Sequence, residues 1–261
     1  MTATILLSQD TRGVATIRLN RPDLHNAMDD EMVSLLTHTL AQVAADKSIR
    51  VLILTGNGIN FSAGHDMAWL QRMASASADE IAQQARLVST MLHTLDTLPQ
   101  PTIARVQGSA FGIGAGLISC CDMAYGVSEA LFSFPDTRIG AIPASIAPFV
   151  LRAIGERAAR RYFLSAERLN AGKAKRLGLL HQVVEDEELD SAIALQVSNL
   201  LCNGPQAMHQ AKCLINDLAL LGTGKEAMEL AIHRASETRS SQEGREGLRA
   251  FIEKRKPHWQ D

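Results

Sequence analysis

Gln107-Gly108-Ser109-Ala110-Phe111-Gly112-Ile113-Gly114-Ala115-Gly116 lies between a strand-like segment, Thr102-Ile103-Ala104-Arg105-Val106, and a run from Ile113 to Cys121 that reads as a buried helix. Glycine at every second position from 112 to 116 bares the main chain, so a group the size of a carbonyl or a phosphate can lie against it. A helix starting here aims its unpaired N–H groups and the positive end of its dipole at that same spot. The stretch reads as a place where the backbone itself does chemistry, with the opposing groups supplied from elsewhere in the chain.

Outward from it, short apolar runs alternate with helical patterns. Val14–Asn20 alternates as a half-buried strand does, and Arg21-Pro22 ends it. From Asp29 to Ala45 the apolar residues Met32, Val33, Leu35, Leu36, Leu40 and Val43 repeat at helical spacing, with Asp29 and Asp30 suited to the first turn. Val51–Thr55 is a continuously apolar run, as a central strand is, closed by Gly56-Asn57-Gly58. Helical patterns follow over 68–73 and 79–98, then strands over 102–106, 123–127 and 130–134. Two strands followed by a helix recur, which predicts an α/β core of wound ββα units over residues 1–200. From Ala144 onward the pattern is helix after helix (144–154, 156–165, 171–177, 189–201, 205–220, 225–238, 242–254), interrupted by one strand-like run at 181–184. Residues 201–261 are thereby predicted to form a helical region that packs on the core or on another subunit.

Composition narrows the classes of partner. The 261 residues are 46% hydrophobic with a net charge of −2, which argues against a dedicated nucleic-acid surface. The basic runs Arg160-Arg161 and Lys254-Arg255-Lys256 read as solvated helix faces. Cys120, Cys121, Cys202 and Cys213 have neither disulfide-framework nor zinc spacing, which points to a reducing compartment. Met1–Asp10 lacks a leader pattern and no apolar stretch is long enough to span a bilayer, so a cytoplasmic location is expected. His25, His181, His209 and His233 show no metal-like spacing, and no metal is expected.

Two readings of the glycine stretch compete with a purely structural loop. Gly112-x-Gly114-x-Gly116, with Asp136 twenty residues past Gly116, superficially fits a dinucleotide fingerprint, but that motif wants two residues before its third glycine. The other reading adds Phe61-Ser62-Ala63-Gly64-His65-Asp66-Met67, which follows the strand at 51–55. Each segment offers a backbone N–H beside a glycine. Two such groups converging on one point would form an oxyanion hole for the enolate of a thioester.

Taken together, Asn20-Arg21-Pro22, Asn26-Ala27-Met28, Phe61–Asp66, the glycine stretch ending in Cys121-Asp122, Ile139-Gly140-Ala141-Ile142-Pro143, Glu243-Gly244 and Ala250–Arg255 resemble the enoyl-CoA hydratase/isomerase (crotonase) superfamily over essentially the whole chain. Phe61–Met73 with Trp69, and Pro143–Arg161, look most like the hydratases of branched glutaconyl-CoA thioesters. The resemblance implies a ββα-spiral core with a helical C-terminal region, a homotrimer or dimer of trimers, and an acyl-CoA substrate whose coenzyme A is part of the substrate, with no separate cofactor. It implies oxyanion N–H groups at His65 and Ile113. Ala63, His65, Asp66, Met67, Ala68, Gly112, Ile113 and Gly116 would line the substrate site, while Phe251 and Lys254 would contact coenzyme A. Asp66 and Asp122 read as structural within it.

The chain departs from the family pattern at one of two acids. Hydratases of the best-known type hold a water between two glutamates; this chain has Gly116 at the first position and Asp136 at the second. Phe132, Phe134, Pro135 and Ile139 are expected to bury Asp136 and raise its pKa towards the range useful for acid–base work. Its bland alternative is a turn aspartate after proline. Gly116, on this reading, leaves room for water or for a substrate branch. The expectation is hydration of a branched or glutaconyl-type 2-enoyl-CoA by Asp136. The alternatives are a double-bond isomerase with a single carboxylate and an acyl-CoA-binding protein without turnover.

Overall fold

The central strands are those whose sequence is continuously apolar. The structure is a computed structural model describing residues 3–260. Its elements run β1 (Ile5–Gln9), β2 (Val14–Leu19), α1 (Asp30–Ala45), β3 (Val51–Gly56), α2 (Met67–Met73), α3 (Ala78–Asp96) and β4 (Thr102–Val106). They continue with β5 (Ala110–Phe111), α4 (Ile113–Cys120), β6 (Met123–Val127), β7 (Leu131–Ser133), α5 (Ala147–Ile154), α6 (Glu156–Ser165), β8 (Leu169–Asn170), α7 (Ala171–Leu177) and β9 (Gln182–Val184). Four longer helices close the chain: α8 (Asp186–Leu201), α9 (Pro205–Leu221), α10 (Lys225–Ser240) and α11 (Gln242–Glu253).

Six strands form one sheet in the order β1-β2-β3-β4-β6-β9, and β5-β7-β8 form a second. All neighbours in the large sheet are parallel except the β1–β2 edge pair. Parallel strands are covered on both faces, which is why β3 and β4 carry Leu52, Leu54, Ile103, Ala104 and Val106 without polar alternation. Helices over them supply Leu36, Leu40, Met91, Leu92 and Leu117, all fully buried.

The structure corrects the sequence reading at three places. Strand β1 is missing from the sequence reading: its apolar run is only Ile5-Leu6-Leu7, of which Ile5 is buried and Leu6 half-buried while Leu7, Ser8 and Gln9 are exposed, and it is held by its pairing with β2. Strand β8 lies inside the stretch read as helical; it is two residues long and pairs antiparallel with β7. Helix α5 begins at Ala147 rather than Ala144, because Pro148 fits the first turn of a helix and would break the interior of a longer one.

The chain divides into two compact units, residues 3–98 with 102–194, and residues 99–101 with 195–260. The boundary falls inside α8, so no linker separates them. In the second unit the Glu243 carboxylate accepts hydrogen bonds from the Gln206 and Ala207 N–H groups, capping α9 where Gly204 has no side chain to do so. No helix among the described residues is long and apolar enough to cross a membrane.

Candidate active site

Three chain segments run side by side in the same direction, and the residues singled out from the sequence leave them at one end. Ser62 bridges Ala110 in parallel, and Ala110 pairs in turn with Phe132 across the parallel β5–β7 ladder. The Phe111 N–H donates to the Ser62 carbonyl at 2.9 Å and the Gly112 N–H to the Ser133 carbonyl at 2.9 Å. From that row, His65 lies three residues beyond Ser62, Ile113 three beyond Ala110, and Asp136 four beyond Phe132. All three therefore sit past the carboxyl ends of parallel segments, where α/β folds form their ligand crevices. The segments approach closely: a Cβ on Gly114 would lie 2.7 Å from the Ser62 carbonyl oxygen.

The two backbone donors are free for reasons of local geometry. Met28 donates to the Gly64 carbonyl at 2.7 Å and accepts from the Asp66 N–H at 3.0 Å, so the intervening His65 N–H faces the other side of its segment. Ile113 is the first residue of α4, whose leading N–H groups have no partner inside the helix. Neither N–H has an acceptor among the described residues. Gly112, at φ 50° and ψ −118°, makes the turn that presents Ile113, in a region that residues with a Cβ rarely enter.

The Asn-Arg-Pro and Asn-Ala-Met motifs hold the first of these segments in place. The Arg21 guanidinium donates to the Ala27 carbonyl at 2.8 Å and pairs with Asp29 and Asp66, each at 3.0 Å. Asn26, fully buried, donates to the Asn57 and Asn60 carbonyls, and its own carbonyl accepts from Ser62 Oγ. Asp66 also caps α2 by accepting from the Trp69 N–H at 2.7 Å. Its carboxylate is thus engaged within the fold, and any part it takes in the substrate site is through position alone. Asp122 likewise accepts from both the N–H and the hydroxyl of Thr102.

The His65 ring stacks on Trp69 with centroids 3.7 Å apart and planes 8° from parallel. Burial lowers its pKa from 6.5 to about 4, against the opposing pull of Asp30 and Asp66, so the ring is neutral at pH 7. The unfolded chain therefore takes up this proton near pH 6.5 and the folded one only near pH 4. Stability from the neutral ring is complete above pH 6.5 and is lost as pH falls towards 4, by roughly 2–3 kcal/mol. Thermal denaturation across that range is expected to show the loss in the wild type and a smaller one in a His65→Phe variant, which keeps the stack without the titrating group.

Asp136 sits in a 3₁₀ turn, Pro135–Ile139, whose flanks are pinned. Thr137 Oγ1 donates to the Phe163 carbonyl at 2.8 Å and Arg138 to the Ala166 carbonyl at 2.9 Å. Phe132 and Phe134 are fully buried, and Phe134 meets Phe163 edge to face at 5.1 Å. The carboxylate oxygen Oδ2 is buried with no hydrogen-bond partner. Burial pushes the Asp136 carboxyl above the usual aspartate value, only partly offset by its own backbone N–H. Asp136 does lie in the first turn after Pro135, as its bland reading has it, but no side chain caps that turn and Oδ2 is left for another use. Of the expected neighbours, Ile139 is 67% exposed rather than part of a buried shell.

Gly116 needs the larger correction. It is buried, and the space beyond its Cα is filled rather than open. A Cβ there would run into Ile146 Cγ2, with Ile146 Cβ at 3.0 Å and Leu92 Cδ2 at 3.7 Å. Nothing in the sequence around Ile146, thirty residues away, signals this contact. Of the other expected lining residues, Ala63 is half-buried and Met67 and Ala68 are exposed. Phe251, 82% exposed, and Lys254, in the left-handed conformation at φ 55°, belong to the end of α11 in the second unit. Histidines away from the site have packing or surface roles: His181 Nδ1 accepts from the Ala124 N–H, and His233 lies against Glu237. Among the described residues no cluster could hold a metal ion.

Comparison with known proteins decides the family. A sequence model described as enoyl-CoA hydratase/isomerase matches residues 9–261. The chain belongs to the enoyl-CoA hydratase/isomerase family. It superimposes on an enoyl-CoA hydratase from Shewanella pealeana with a TM-score of 0.95 at 39% identity, covering 98% of this chain and 96% of that one, and so has the crotonase fold. It is also similar to the mitochondrial methylglutaconyl-CoA hydratase of Mus musculus, at 33% identity over 97% of this chain and 81% of that protein. The 1,2-epoxyphenylacetyl-CoA isomerase of Escherichia coli K12 is 32% identical, with 97% of each chain covered. Family membership makes the chain an enzyme of the hydratase/isomerase type acting on acyl-CoA thioesters.

Proposed function

We propose that this family member moves a proton between two carbons of an unsaturated acyl-CoA thioester, using Asp136 as its acid–base group. The observation that carries the reading is the filled space at Gly116: Ile146 stands where a second acid would reach, leaving Asp136 as the one member of the expected pair. In a 3-enoyl thioester the Asp136 carboxylate takes a proton from the α-carbon. The electron pair passes to the thioester oxygen, which accepts hydrogen bonds from the His65 and Ile113 N–H groups. Asp136 then returns the proton at C4, and the double bond comes to rest between C2 and C3. A base whose pKa burial has raised is better matched to a weakly acidic carbon than an ordinary aspartate is.

Hydration is the second reading, supported by the likeness to the mouse methylglutaconyl-CoA hydratase. There Asp136 would deprotonate water for attack at C3 and return the proton to C2. The trimer or dimer of trimers implied by the resemblance is supported by exposed apolar side chains in the second unit, among them Leu220, Leu248, Phe251 and Ile252.

One assay separates the readings. The purified protein is incubated with 2-enoyl, 3-enoyl and 3-methylglutaconyl-CoA in heavy-oxygen water, following conjugated-thioester absorbance and product mass. The expected result is a shifted double bond with no added oxygen. Incorporated oxygen as the dominant outcome would establish hydration instead, and tight thioester binding with neither product would overturn catalysis.

A further inference from the structure

The residue that opposes Gly116 is neither an acid nor part of the oxyanion machinery, and its position is unusually constrained. Gly116 lies three residues after Ile113 on α4, so a side chain at 116 would lean back towards the helix N-terminus that presents the Ile113 N–H. Ile146, 4% exposed, occupies that space from the start of α5, and Leu92 of α3 backs it. Its segment is tied to α3 at two points. Arg152 on α5 pairs with Asp96 at the end of α3, and Ser145 Oγ donates to the Ala85 carbonyl at 3.4 Å. The same continuous segment, 135–146, carries Asp136 at one end and Ile146 at the other.

We propose that Ile146 is a specificity-determining residue that selects the reaction: it seals the volume a second carboxylate and its held water would need, and so keeps the site to single-acid proton transfer. The inference rests on the proposed acid–base role of Asp136. It predicts that residues 116 and 146 are coupled, and that opening position 146 is the condition for a second acid at 116. Glycine suits position 146 sterically, since it removes both contacting atoms, and it is an accepted residue at the cap position that Ile146 holds.

The test is a double-mutant cycle with two readouts. Gly116→Glu alone is expected to lower Tm by about 3–10 °C through overpacking. Adding Ile146→Gly is expected to recover more than half of that loss and to raise the ratio of heavy-oxygen incorporation to bond shift at least about 10-fold over wild type. If Gly116→Glu does not fold, Gly116→Ala with Ile146→Gly gives the same packing cycle. Additive Tm changes across the cycle would overturn the steric coupling. Coupled Tm changes with an unchanged product ratio would overturn the claim that Ile146 selects the reaction. Failure of the Asp136 role is read separately, as full activity in Asp136→Asn, and leaves the Tm cycle unaffected.

Discussion

Replacing Asp136 with Asn is expected to lower turnover by a factor on the order of 10²–10⁴ while leaving the fold intact. The substitution keeps the size and planarity of the group and removes its basicity. Its effect on stability runs the other way. Burial raises the Asp136 pKa, so between the unfolded value of 3.8 and that raised value the folded state binds the proton that the unfolded state has released. Stability from this group is therefore present at low pH and lost as pH rises through the window; at neutral pH the ionised, partly buried carboxylate is a cost. The amide introduced by Asp136→Asn carries no such charge, and the Tm of the variant at pH 7 is expected to equal or exceed that of the wild type, a trade of stability for function seen when a group is strained for its task. In the wild type the acidic limb of the kcat/KM profile should inflect above the pH of an ordinary aspartate. Steady-state assays and thermal denaturation of the two proteins check all three points. Undiminished activity in the variant would remove Asp136 from the mechanism.

Replacing Ile113 with Pro is expected to lower kcat by about 10²–10³, the loss typical of deleting one oxyanion donor. Side-chain substitution cannot normally reach a backbone donor, but this position allows it. Ile113 is the first residue of α4, where proline is well tolerated because its N–H has no helical partner. Gly112 before it lies outside the right-handed helical region that a following proline disfavours. The side chain is 3% exposed, so Ile113→Val serves as the control for packing: it keeps the N–H and loses one methylene. The expected pattern is a fall in kcat for Ile113→Pro, near-normal kcat for Ile113→Val, and folded circular dichroism spectra for both. Equal loss in the two variants would assign the effect to packing and not to the donor.

Glycines 112 and 116 bracket one turn of α4 and are legible in the sequence to different degrees. The role of Gly112 follows from its place between a strand and a helix, because strand-then-helix patterning is local and its donors follow from helix geometry alone. Asp136 is found through the family pattern, and the burial of Phe132 and Phe134 around it agrees with their apolar character. Gly116 misleads. A missing side chain reads as a vacancy in one dimension, whereas in a close-packed interior the neighbours move in, and the neighbour here comes from thirty residues further on. That filling is also what moves the proposed chemistry from hydration, the first expectation, to single-acid proton transfer.

The sequence by itself determined the α/β character of the core, since a continuously apolar run such as Val51–Thr55 reads as a strand buried within it; that its neighbours are parallel came from the structure. It also determined most helix positions, through apolar spacing, and the residue types available for catalysis. Tertiary structure alone decided the row Ser62, Ala110 and Phe132, which brings His65, Ile113 and Asp136 to one end. That register comes from hydrogen bonds between segments dozens of residues apart, and neither propensity nor periodicity specifies it. The closure of the space at Gly116 by Ile146 is of the same kind, because it depends on how α3, α4 and α5 pack and on no feature of any one of them.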